Sequence, residues 1–291
     1  MEQYEWMVEY TPQTEWILKK GILVWLAEVF NALGSGLYLV SLYFNCLEGM
    51  FIGWLIIVVL KCGFHFAHLR QPLRFWRLAF NPRTSWLARG FIFLALFIGF
   101  GAMQLIFSYW LPGTAWEVAF KVVTAIMAVL VAAYTGFVMN YVNGIPFWNS
   151  ALLPLLFVSF SVLSGLAVAI AIGLFGGNID IMGAVAGIRL LLVINASFIV
   201  IYLWSATYMG PTGKRSVIEI VKRQIAPILW VGVILCGIII PLAISISSYF
   251  VGEASVSLLI TTISCVLIGV FSFNYCLLKG GMYGPLIPHS D

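Results

Sequence analysis

Eight long apolar runs, separated by short polar stretches, make up most of the chain. They cover Gly21–Asn45, Met50–His68, Gly90–Trp110, Glu117–Tyr141, Ala151–Phe175, Met182–Tyr208, Ile225–Phe250 and Ser255–Lys279. Each holds about 19–27 residues, enough for a helix to cross a hydrocarbon core of about 30 Å. Inside a bilayer each element must satisfy its own backbone polar groups, and the two-residue alternation of a barrel strand is missing here. The pattern therefore predicts an all-α polytopic membrane protein with eight transmembrane helices.

Composition strengthens this reading. Of 291 residues, 62% are hydrophobic and 9% charged, with a mean hydropathy of +1.04, whereas a soluble domain carries about 25% charged residues. The first twenty residues are acidic and aromatic and lack the apolar centre of a signal peptide, so the first span is expected to act as its own insertion signal. None of the five cysteines forms a CxxC pair, so they read as small buried residues, and no iron–sulphur cluster is expected in this chain.

Charge is distributed unevenly between the two ends of the spans. The connections after spans one, three, five and seven carry Glu48, Glu117, Asp180 and Glu253 and no Lys or Arg. The other end collects Lys19, Lys20, Arg70, Arg74, Arg77, Arg83, Arg89, Lys214, Arg215, Lys222, Arg223 and Lys279. The positive-inside rule makes that end cytoplasmic. A faint repeat relates Asn31-Ala-Leu-Gly-Ser-Gly-Leu in span one to Ser161-Val-Leu-Ser-Gly-Leu in span five. It points to two four-helix bundles, 21–145 and 146–280, with an N-terminal segment 1–20 and a tail 281–291. Gly34, Ser35, Gly36, Ser164 and Gly165 suit close helix contact.

Ionisable groups inside a membrane are costly, and each is a candidate for function. Glu28 and Asn31 lie one turn apart on span one; Lys61, His65 and His68 share one face of span two; Tyr134 lies in span four. With Arg70 they fall at the depth of the charged end. A carboxylate, imidazoles, a phenol and an arginine are groups that can bind a quinone's carbonyl oxygens and move its protons. An interhelical ion pair of Glu28 with Lys61 is the structural alternative. Arg189 lies about ten residues into span six, too deep to reach the interface easily. It fits either a structural pair with Glu28 or Asp180 or a step on a proton path, for which Glu28, Lys61, Asp180 and Lys121 are the other candidates. The charged segment beyond His68 (Arg74, Trp76, Arg77, Arg83 and Trp86) suits docking of a partner or of lipid headgroups. A bis-histidine haem is not expected, because His65 and His68 sit on one helix and His289 is near the chain end. A metal centre and a nucleic-acid partner are likewise not expected.

Two stretches carry a family resemblance. Leu69–Gly90 (LRQPLRFWRLAFNPRTSWLARG) and Tyr134–Ser150, followed by LLPLLFVSFSVLSGLA, resemble the polysulfide reductase membrane-subunit (NrfD-like) family. The resemblance implies two four-helix bundles without haem, in a prokaryotic cytoplasmic (inner) membrane. It also implies a docked ferredoxin-like iron–sulphur subunit, a molybdopterin catalytic subunit, and a menaquinone or ubiquinone held near the docking face. On this likeness Asn31 and Tyr134 match the family's quinone contacts, and Arg189 resembles an arginine on a proton route. Some members have a histidine one turn after the asparagine where this chain has Gly34, leaving Glu28 or His65 to fill that role. In many members the catalytic subunits are exported, which sets the docking face against the positive-inside reading. A solute or proton transporter without redox role, and a purely structural membrane anchor, are the other function classes compatible with the sequence.

Overall fold

A computed structural model of the chain describes residues 7, 9–252 and 255–287. Glu253 and His289 lie outside the described residues. Eight helices are long and apolar enough to cross a membrane: Lys19–Tyr43, Leu47–His68, Trp86–Trp110, Ala115–Asn140, Leu152–Leu174, Ile181–Ala206, Ile228–Phe250 and Val256–Gly280. The protein is an all-α polytopic membrane protein. The third span begins four residues earlier than the apolar run, because the Ser85 hydroxyl accepts from Ala88 N (3.3 Å) and caps the helix there. Thr114 caps the fourth span through Glu117 N (3.3 Å) in the same way.

The spans pack in two rings. First, second, third and fourth close on one another, and so do fifth, sixth, seventh and eighth. The first and fifth spans form the main contact between the rings, flanked by fourth-on-fifth and eighth-on-first contacts. The small residues of the sequence repeat make this seam. A Cβ placed on Gly36 would meet the Ser161 backbone, and one placed on Gly165 would meet the Gly36 backbone. Association of apolar helices in lipid depends on such close approach, since burial of apolar surface supplies little drive there.

Two features of the spans are not visible in the apolar pattern. The second span contains a π-helical stretch, Ile56–Lys61, between α-helical Leu47–Leu55 and Cys62–His68. The seventh opens with another, Ile228–Ile239. A π segment carries a wider turn than an α-helix and re-phases the residues after it.

The charged end of the molecule is capped by segments from both halves. Strand β1 (Thr11–Pro12) pairs antiparallel with β2 (Met282–Tyr283). Trp16 packs on Trp148 with ring centroids 5.2 Å apart, and Trp148 Nε1 donates to Leu277 O (2.9 Å). An amphipathic helix, Gly210–Lys222, buries Thr212, Gly213, Ser216 and Ile220 against this cap and leaves Lys214, Arg215 and Lys222 exposed. The described parts of the terminal segments are thus folded onto the bundles.

The seam makes a testable distinction between glycines. Gly36→Val should lower the thermal midpoint of the detergent-solubilised protein by about 5–10 °C, reflecting about 1–3 kcal/mol of overpacking. Gly63, with nothing within 4 Å of an added Cβ, should accept alanine with no measurable change. Fluorescence-detected size-exclusion chromatography after heating reads both.

Candidate functional site

The first ring of helices holds an unusual amount of polar chemistry at the depth of its charged end. Lys61 is 0% exposed. Its Nζ donates to the Tyr134 hydroxyl (2.5 Å) and to Asn31 Oδ1 (3.2 Å). Asn31 is 1% exposed, and its Nδ2 donates to Val131 O (2.8 Å). Glu28 accepts from the Thr135 hydroxyl at Oε2 and from the Tyr134 hydroxyl at Oε1 (3.4 Å). The Tyr134 hydroxyl also lies 3.4 Å from His65 Nε2, which is 3.6 Å from Glu28 Oε1. First, second and fourth spans therefore meet in one buried cluster, with Tyr134 at its centre.

Local sequence explains how the cluster fits. The π-helical stretch ends at Lys61 and turns its side chain into the ring rather than toward lipid. Gly90, the last residue of the charged connection's motif, lies against the Tyr134 ring, which any Cβ there would strike. Gly34 faces Gly53 and Ile57 of the second span so closely that an added Cβ would meet Gly53 O at 2.9 Å. A histidine has no room at that position. Glu28 and His65 supply polar groups instead.

A cavity of about 640 Å³ opens beside the cluster, within the range of about 300–1,000 Å³ common for small-molecule sites. Glu28, His65, His68, Tyr134 and Thr135 are its polar lining. Val24, Phe66, Leu87, Phe91, Leu94, Ala95 and Ile98 give it apolar walls. The charged connection forms its roof: the 3₁₀ helix Pro72–Phe80 turns Phe75 and Leu78 inward. Phe75 packs edge-on to Phe66 (4.9 Å) and Phe91 (5.9 Å). His68 Nδ1 donates to Lys20 O (3.0 Å), leaving Nε2 for other partners.

The structure redistributes several of the sequence-selected residues. Asn31 does not line the cavity, because both ends of its amide are occupied in the wall behind it. Arg70 is exposed and outside the lining. Lys61 and Glu28 do not pair directly; the Tyr134 hydroxyl stands between them. Arg189 bonds neither Glu28 nor Asp180. Its guanidinium reaches Ser245, Nε to Oγ (3.2 Å) and Nη2 to the carbonyl oxygen (2.7 Å), and lies over the Tyr249 ring (4.9 Å). The side chain is long enough to travel toward the interface, which its depth along the helix does not reveal. Asp180 is exposed at the start of the sixth span. Lys121 pairs with Glu117 (2.9 Å) at the opposite end of the bundle. There Glu117 accepts from Ser108 (2.7 Å), Ser108 accepts from Gln104 (2.8 Å), and Gln104 accepts from Tyr38 (2.6 Å). Among the docking candidates, Arg74, Trp76, Arg77 and Arg83 are exposed. Trp86 is turned inward and stacks on Phe137 (4.4 Å), and the Arg89 guanidinium lies 4.4 Å from its ring centroid. Sequence reasoning missed Thr135, a threonine in an apolar helix, and the inward Phe75 and Leu78.

A family model described as "Polysulphide reductase, NrfD" matches residues 21–284, nearly all the described residues. The chain belongs to the NrfD polysulphide reductase family. Among the relatives of this NrfD-family protein, the C subunit of polysulfide reductase from Wolinella succinogenes is 25% identical over 238 residues, 73% of this protein and 74% of the relative. Protein NrfD of Escherichia coli is 31% identical over 125 residues, 35% of this protein and 39% of the relative. The NrfD homolog of Haemophilus influenzae is 24% identical over 244 residues, 74% and 75% respectively.

The Glu28–Thr135 contact gives a direct check on the cluster. Thr135→Val should destabilise the protein by about 1–2 kcal/mol, since it removes a hydrogen bond to a carboxylate. In the Glu28→Gln background it should cost less, so a double-mutant cycle in detergent unfolding returns a coupling well above zero.

Proposed function

We propose that this NrfD-family protein is the quinone-reactive membrane anchor of a respiratory oxidoreductase complex in a prokaryotic cytoplasmic membrane. The carrying observation is the cavity of about 640 Å³ with Glu28, His65 and Tyr134 at one wall and a roof that is cationic on its outer side. A quinone has an aromatic headgroup with carbonyl oxygens and a long apolar tail. Apolar walls suit the ring and tail, and the polar wall suits the oxygens. Menaquinone and ubiquinone both meet this description.

In the direction of quinone reduction, the headgroup takes up two electrons and two protons and leaves as quinol; oxidation is the reverse. No group of this protein is proposed to carry the electrons. They pass between the quinone and an iron–sulphur cluster of a ferredoxin-like partner, itself joined to a molybdopterin catalytic subunit. Protons are exchanged at the wall, with Glu28 and His65 as the cavity-facing groups. An imidazole and a carboxylate are both side chains that can hand a proton to a bound group or take one from it.

Docking is assigned to the outer side of the roof. Arg74, Trp76 and Arg77 are exposed there, and the Arg77 guanidinium lies 5.6 Å from the Trp76 ring. An acidic face on the partner would meet this surface with complementary charge. Docking here places a partner's cluster near the quinone pocket, since the same nine-residue helix, Pro72–Phe80, contributes to both.

Two sets of variants should separate pocket from docking surface. His65→Ala and Ala95→Trp are expected to cut quinol-linked turnover of the purified complex about tenfold or more while the partner subunits co-purify as before. Arg74→Glu with Arg77→Glu is expected to lose the partner subunits while the isolated protein still binds a quinone-site inhibitor. Wild-type turnover in both pocket variants would refute the site assignment.

A further inference from the structure

We propose that Lys61 is a positioning residue, which acts on the quinone through Tyr134 and never touches the quinone itself. This rests on the quinone reading above. An ammonium has three donors and no acceptor. Lys61 is 0% exposed and is absent from the cavity lining. Two of its donors are engaged, one with Tyr134 (2.5 Å) and one with Asn31 Oδ1 (3.2 Å). Asn31 is itself oriented by its bond to Val131 O (2.8 Å), which turns its carbonyl toward Lys61.

The consequence falls on Tyr134. Its oxygen receives a hydrogen from Lys61, which does not line the cavity. A phenol has a single O–H, and here that hydrogen is left to point forward, toward Glu28 Oε1 and His65 Nε2, each 3.4 Å away. Tyr134 is 5% exposed, and the neighbours of its hydroxyl within the wall are Lys61, Glu28 and His65. Accepting from a quinol hydroxyl then belongs to the Glu28 carboxylate and donating to a quinone carbonyl to His65, with Tyr134 setting how those two are arranged. Lys61 fixes the direction of the whole series. Asn31, one of the two residues that the family resemblance favours, need not touch the quinone in this arrangement.

The buried ammonium also sets the charge of the wall. It stands one hydroxyl away from the Glu28 carboxylate, with Tyr134 bridging them. Charges this deep are retained only when each is compensated. Removing Lys61 would leave Glu28 facing a phenol free to rotate, and the geometry of proton exchange would be lost while the cavity's shape remained.

The test uses the complex purified through a tag on this protein with its natural partner subunits. Turnover is measured with decyl-tailed naphthoquinol and benzoquinol. Lys61→Met keeps much of the side chain's length and apolar stem but removes charge and donors. It should lower kcat by about tenfold or more, with KM within about threefold of wild type. Tyr134→Phe, which deletes only the hydroxyl, should show the same split. The double variant should be no slower than the slower single variant, because both break one series. An unchanged kcat, or a rise in KM with kcat preserved, would overturn the positioning role; the second result would mark Lys61 as a direct binding group. If Lys61→Met does not assemble, Tyr134→Phe decides alone, and wild-type kcat in it sinks the proposal. A wild-type complex that turns over neither quinol removes the quinone reading and this inference with it, whereas an active wild type with insensitive variants removes only the role of Lys61.

Discussion

Placing an ammonium inside a ring of hydrocarbon helices is the constraint on which the first half of this protein depends. Lys61 is shut off from solvent and has no carboxylate in direct contact. Its hydrogen bonds must come from other spans, so Asn31 and Tyr134 are drawn to it, and Tyr134 brings Glu28, Thr135 and His65 into the same group. The helices carrying these residues must approach closely enough to make the bonds. Gly34 against the second span and Gly90 against the Tyr134 ring permit that approach. The second half uses lighter polar devices. Ser159 donates to Asn195 Oδ1 (2.6 Å), Arg189 bonds Ser245, and the remaining core is mainly apolar and aromatic.

The cavity and the proposed docking surface meet in one short helix. Pro72–Phe80 shows Phe75 and Leu78 to the cavity and Arg74, Trp76 and Arg77 to the outside. Neighbouring residues thus face different surroundings across a single layer of backbone. A 3₁₀ helix, with three residues per turn, gives this separation over a few residues. Such thinness suits a protein with no cofactor assigned to its own residues, because any partner bound outside lies near whatever is bound inside.

Much of the fold was legible in the sequence because the bilayer sets it. Twenty-residue apolar runs can be little else than spanning helices, and their number follows by counting. Span boundaries shifted where a side-chain cap intervened, as at Ser85 and Thr114. The cluster was legible in part, since Glu28, Lys61, His65 and Tyr134 stand out in apolar surroundings. Their mutual arrangement was not legible. Linear spacing cannot show that a hydroxyl separates Lys61 from Glu28, that Asn31 is consumed inside the wall, or that Arg189 reaches Ser245. Thr135 was invisible because a threonine does not stand out in a transmembrane helix. Trp86 looked like surface from its neighbours, yet it stacks on a phenylalanine fifty-one positions later.

The π-helical turn at Ile56–Lys61 has a consequence for how this sequence tolerates change in length. Each residue of an α-helix advances the backbone by about 100° around its axis. A π turn holds one residue more than the α turn it replaces, so deleting one residue from Ile56–Leu60 would let a regular helix form with the residues beyond it still on the same face. Deleting one residue from the α-helical Leu47–Leu55 instead would leave the span almost as long and as apolar as before, and everything beyond the deletion would swing by about 100° relative to the half before it. The ammonium would leave the ring interior, and the two imidazoles would move with it. By composition such a variant is nearly indistinguishable from the original, yet it would keep its insertion in the membrane and lose its polar wall. In this span, register carries information that hydrophobicity does not.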